Sequence, residues 1–183
     1  MIILGLNAYH GDSSACIIKN GVLLAAVEEE RFTRIKHWAG YPRLAIDYCL
    51  ATAGATLADV DHIAVNRDPR ANVFEKIKYT MRRMPSVDVI LDRLRNASKI
   101  GNIRADIATH FGIAEDAVRA PIHHVEHHLA HLASAFFVSP FRKAAVLSTD
   151  GFGDFVGAMW ASGEEHTMTV HDRVYFPHSL GLF

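Results

Sequence analysis

The sequence predicts an α/β protein: a lobe of mixed sheet with helices, followed by the first strands of a second, similar lobe. Three observations predict it. Short apolar segments open the chain in the order βββαβ, which puts antiparallel and parallel pairing into one sheet. Helical periodicity occupies residues 70–112 and 126–138, between strands. A later apolar strand, "KAAVLSTDG", ends in a Gly/Asp turn and so repeats the pattern of the chain's first strand.

Ile2–Leu6 is apolar for only a few residues and has no basic leader, so it reads as a strand and not a signal peptide. The turn formers of "NAYHGDSS" end it. Ser14–Lys19 and Val22–Val27 are the next strands, joined at Asn20-Gly21, where both residues tolerate positive φ. The highly charged "EEERFTRIKH" reads as a loop. Pro42 suits the first turn of a helix that carries Leu44, Ala45, Tyr48 and Cys49 at helical spacing and stops at Gly54. His62–Asn66 is a fourth strand, parallel to the first if the helix is a crossover. Residues 70–112 read as two or three helical pieces broken near Pro85 and Gly101, with Val87, Ile90, Leu91 and Leu94 at the period of 3.6.

Ile122–Val125 is a fifth short strand, and the first lobe is expected to span residues 1–140. The second unit, residues 141–183, opens at Lys143 and continues with strands at Phe155–Ala161 and Thr167–Tyr175. Its turn, Asp150–Asp154, stands where Asn7–Asp12 stands in the first copy. Three strands do not make a lobe on their own. "FPHSLGLF" neither caps a helix nor closes a sheet, so the chain is expected to be a fragment.

Composition narrows the function classes. Half of the 183 residues are hydrophobic and 21% are charged, which supports a buried core. A net charge of −1 offers no basic field, and aromatic residues do not interleave with basic patches, so nucleic acid is not an expected partner. Two cysteines fit a reducing compartment. No apolar run approaches the roughly 20 residues of a membrane span. A cytoplasmic protein without a membrane partner is expected.

Five of the chain's twelve histidines fall in "HHVEHHLAHLASAFF". Leu129, Leu132, Ala133, Phe136 and Phe137 form an apolar stripe, so the segment is an amphipathic helix ended by Pro140. Histidine pairs at i, i+4 are 123/127, 124/128 and 127/131, and only His127 and His131 both lie inside the helix. Two neutral imidazoles one turn apart suit a metal, although an isolated pair is more often a solvated polar face. The acidic turn "DGFGD" adds weight. Asp150 would stand at a strand's carboxyl end, where open sheets place ligands, and Gly151 and Gly153 would let backbone N–H groups approach a phosphate. An ordinary hairpin turn is the competing account. His127, His131 and Asp150 together make a candidate site for Fe(II), Zn(II) or Mn(II), with His124 and His128 behind it or at the surface.

The first turn carries Asn7, His10, Asp12 and Ser13. His10 is a candidate general base with Asp12 to orient it; simple turn hydrogen bonding is the alternative. Arg31, Arg34, Lys36 and His37 could meet a phosphate or form a solvated charge run.

Five motifs in order, "GLNAYHGDSSACIIKNG", "AAVEEERFTRIKH", "HHLAHLASAF", "STDGFGD" and "FPHSLGL", closely resemble the N-terminal part of the O-carbamoyltransferases of nodulation-factor synthesis and antibiotic tailoring. The resemblance covers the chain apart from about residues 67–120. It implies an actin-like ATPase (ribonuclease H-like) fold, similar to that of the universal tRNA threonylcarbamoyl transferase. It implies metal ligation by His127 and His131, a place for Asp150 beside metal and phosphate, and a place for His10 near the acceptor hydroxyl. A separate C-terminal domain would make carbamoyl adenylate from carbamoyl phosphate and ATP, and the actin-like domain would pass the carbamoyl group to a hydroxyl of a small-molecule or sugar acceptor. That C-terminal domain and most of the second lobe are absent from these 183 residues, so the piece alone is expected to be inactive. Two rivals are a non-catalytic half-domain completed by a partner chain and a metal-dependent hydrolase using His127, His131 and Asp150.

Overall fold

The computed structural model describes residues 1–83 and 102–182. The expected strand break-up starts at Ile2–Asn7 (β1), where alternate residues Ile2, Leu4 and Leu6 are buried. Ser14–Lys19 (β2) pairs antiparallel with β1 and buries Ala15 and Ile17. Asn20 and Gly21 take φ of 52° and 82°, the mirror-image turn that matches strand twist, and lead into Val22–Glu28 (β3). The "EEERF" segment departs from the expected loop: Glu30–Thr33 (α1) closes one helical turn before Arg34 adopts a left-handed φ of 59°.

Arg43–Thr52 (α2) starts one residue after Pro42 and packs Ala45, Ile46, Cys49 and Leu50 into the core. Its first amides are capped from a distance. The buried carboxylate of Glu29 accepts the N–H groups of Leu44 and Ala45 at 3.1 and 2.8 Å. His62–Val65 (β4) is parallel to β1, as a helical crossover requires.

Val73–Arg83 (α3) and Ile103–Phe111 (α4) are the described parts of the helical stretch. The expected breaks at Pro85 and Gly101, and the pattern of Val87, Ile90, Leu91 and Leu94, lie outside the described residues. Ile122–His124 (β5) pairs parallel with β4.

The five strands have the order β3-β2-β1-β4-β5, with β2 antiparallel to its neighbours. This is the mixed sheet of the actin-like, ribonuclease H-like fold. Its core joins Leu4, Ile17, Ile46, Ile63, Val65, Ile103 and Ile107.

The later strands form a separate sheet of order β6-β7-β8: Lys143–Gly153 (β6), Val156–Glu164 (β7) and Thr167–Tyr175 (β8). β7 starts after Phe155, because Asp154 and Phe155 take φ of 48° and 76° and are the hairpin corner itself. His127–Phe136 (α5) lays Leu132 and Phe136 against Val146, Val156, Met159 and Ala161 of that sheet. By contacts the chain divides into two compact units. Of the described residues, one holds 1–66 and 102–124, and the other holds 67–83 and 125–182. Among the described residues no helix is long and apolar enough to cross a membrane.

Candidate metal centre

The helix α5 begins at His127 because Glu126 caps it: the carboxylate accepts His128 N–H at 3.2 Å and Leu129 N–H at 2.8 Å. One turn apart, His127 and His131 point their rings to the same side, with Nε2 atoms 3.0 Å apart. Asp150 arrives from β6. The β6–β7 ladder is regular to Thr149 and resumes only at Gly153. That interruption frees Asp150 from the strand's strict alternation. Its Oδ2 lies 2.7 Å from His127 Nε2 and 3.6 Å from His131 Nε2. The three ligand atoms fall within 4.8 Å of one another.

The donor set fits a divalent cation of the Zn(II), Fe(II) or Mn(II) kind. Ligands about 2.0–2.2 Å from a metal stand roughly 3 Å apart from one another, and the observed separations of 2.7, 3.0 and 3.6 Å bracket that value. A single proton on His127 Nε2 can serve only one of its two close neighbours. Burial raises the Asp150 carboxyl, but the His127 contact, the Gly151 N–H and the charges of both histidines outweigh it, so it lies below its ordinary value. The carboxylate is therefore ionised and ready to ligate.

Around these three, the turn is braced on every side. Gly151 N–H donates to Asp150 Oδ1 at 2.6 Å, so this amide serves the aspartate. Ser179 Oγ donates to the Asp150 carbonyl at 2.6 Å, and Gly181 packs on the same backbone, which gives the "FPHSLGL" motif a physical task. Gly153 lies against the His127 ring, and a Cβ there would overlap the imidazole. His128 is fully buried, bonded to Ser148 Oγ and to the Val156 carbonyl, each at 2.9 Å. It rivets α5 to the sheet. His124 is exposed on β5, while His123 meets His62 at 3.0 Å in the other unit.

Sequence reasoning missed Asp154, Glu126 and Glu29, all buried or partly buried carboxylates that accept backbone N–H groups. The cue was available for Glu126, an acidic residue just before an apolar helical stripe.

The first turn is described in its own unit. His10 Nδ1 lies 3.3 Å from the Gly11 carbonyl. Ser13 Oγ lies 3.0 Å from the His10 carbonyl and 2.8 Å from that of Gly40, and donates there. Asp12 meets His37 Nδ1 at 2.9 Å, so the histidine that closes "RFTRIKH" returns to the first turn. Arg31 pairs with Glu28 at 3.2 Å.

The sheet order and the converging His-His-carboxylate set together define a mixed α/β protein with a candidate metal centre. Comparison with known proteins narrows this class. The family model for the carbamoyltransferase N-terminus matches residues 2–183, and the chain belongs to that family. It is 39% identical to the uncharacterized protein sll1178 of Synechocystis sp., over 98% of this chain and 30% of that protein. It is 36% identical to the nodulation protein NolNO of Sinorhizobium fredii, over 96% of this chain and 25% of that protein. The chain thus spans under a third of the length of these relatives. Among solved structures, YeaZ from Pseudomonas aeruginosa superposes with a TM-score of 0.48 at 18% identity, covering 96% of this chain and 67% of that one.

Proposed function

We propose that the chain is the N-terminal part of an O-carbamoyltransferase, which moves a carbamoyl group from carbamoyl adenylate to a hydroxyl of a small-molecule or sugar acceptor. The observation that carries this is the convergence of His127, His131 and Asp150 in a chain of the carbamoyltransferase N-terminus family. In the transfer, the acceptor oxygen bonds to the carbamoyl carbon, the bond from that carbon to the phosphate oxygen breaks, and AMP leaves. Carbamoyl phosphate and ATP would be consumed in a C-terminal domain of the longer protein. Residues 1–140 would be the first lobe and 141–183 the opening of the second.

A divalent metal held by His127, His131 and Asp150 would supply Lewis-acid stabilisation of charge on the leaving phosphate. The turn containing Asp150, Gly151 and Gly153 would lie beside that phosphate, with the Gly151 amide kept on Asp150 Oδ1. His10 would take the proton from the attacking hydroxyl. The test is to incubate the full-length protein with ATP, labelled carbamoyl phosphate and a panel of sugar and small-molecule alcohols. Label on a hydroxyl together with AMP supports transfer, and its loss in His10→Ala supports the base. Turnover without any nucleotide would replace this reading with a metal-dependent hydrolase.

A further inference from the structure

Asp154 closes the acidic turn, and its carboxylate is only 4% exposed. One oxygen, Oδ2, accepts two backbone N–H groups, those of His127 and Asp68, each at 2.9 Å. The other oxygen lies 3.9 Å from Arg67 Nε. The Asp154 carbonyl accepts Asn72 Nδ2 at 3.0 Å. A hairpin corner with φ of 48° does not need a buried carboxylate, since Gly or Asn would close it as well. Burying a charge is costly unless its hydrogen bonds are made, and here they are made to backbone amides.

The division of labour at the start of α5 is informative. Glu126 satisfies the amides of His128 and Leu129, the next two residues. Asp154 takes the amide of His127 itself. The residue before it, Gly153, packs against the His127 ring. The turn therefore grips this one histidine twice, at the backbone and at the imidazole. The candidate ligand set among the described residues contains Asp150 and not Asp154.

We propose, on the basis that His127, His131 and Asp150 hold a metal, that Asp154 is the positioning residue of the centre. It fixes His127 in ligating orientation and ties the Asp68–Asn72 segment to the same point. Hydrogen-bonding partners of this kind typically change metal affinity ten- to a hundred-fold when removed.

The test uses the full-length protein and Co(II) as the probe, with D154G, D154N and H127A compared by titration and by visible absorption. Gly accepts the positive φ without strain, so D154G removes the carboxylate without forcing the turn into another conformation, and D154N controls for the added backbone freedom. D154G should bind Co(II) about ten- to a hundred-fold more weakly, with an altered absorption band. D154N should stay close to the parent, because its amide oxygen accepts the same two N–H groups and Asn tolerates this φ. Parent-like affinity and spectrum in D154G, with H127A impaired, would overturn the positioning role alone. An Asn variant as weak as the Gly variant would overturn its hydrogen-bond origin. Parent-like binding in H127A would instead remove the metal centre on which the role depends. A thermal melt on each variant separates these outcomes from unfolding.

Discussion

Gly153 and His127 are in such close contact that no side chain fits between them: a Cβ on Gly153 would occupy the volume of the imidazole. The consequence is testable. Gly153→Ala must push the ring out of line with His131 and Asp150. Metal affinity should fall about ten-fold or more, with a stability loss of about 1–3 kcal/mol from overpacking. A Zn(II) competition titration and a thermal melt read the two effects separately. A variant with parent affinity would show that the ring position does not matter.

His128 has a different task from its two neighbours. Removing its ring leaves Ser148 Oγ and the Val156 carbonyl without their partner in a fully buried place. His128→Ala should therefore cost about 2–4 kcal/mol, from lost packing and unsatisfied polar groups. Urea unfolding gives the number. The folded fraction should still take up metal; a stable variant that has lost its metal would move His128 into the ligand set.

Glu29 caps a helix that begins fourteen residues later, at Arg43. Glu29→Ala leaves two buried or half-buried amides without an acceptor and should destabilise the first unit by about 1–3 kcal/mol. Glu29→Gln keeps one acceptor and should lose less. Equal losses in the two variants, measured by denaturant unfolding, would point to packing and not to the cap.

Burial pushes the Cys49 thiol from an ordinary value of 9.0 up to about 11. A folded-state pKa above the unfolded one means that the native protein holds this proton more tightly. The resulting stability is complete below pH 9.0 and is lost as pH rises through about 11. The parent should thus lose more stability than Cys49→Ala across that window in urea unfolding. Parallel slopes for the two proteins would refute the shift.

The parts of the fold written in local chemistry were legible in the sequence. Asn20-Gly21 names its own turn, the alternation of Leu4 and Leu6 names a buried face, and His127 with His131 obey helical spacing. The crossover of α2 made β4 parallel to β1. What the sequence could not show depends on long-range partners. The "EEERF" charges look solvated until Glu29 is seen to be buried under α2. Asp154 looks like a turn former until its carboxylate is found on the amides of Asp68 and His127. The departure of Asp150 from strand alternation comes from an interrupted ladder, which no local pattern encodes. His128, one residue from a candidate ligand, differs from it only by pointing at the sheet.

The claim at the centre is that His127, His131 and Asp150 hold a divalent metal, and elemental analysis of the full-length protein tests it most directly. The parent, loaded with Zn(II), Fe(II) or Mn(II) and then desalted, should retain the ion in proportion to protein. The His127→Ala, His131→Ala double variant, still folded by its melt, should retain almost none. Equal metal in both proteins, or none in the parent under any loading, would contradict the account.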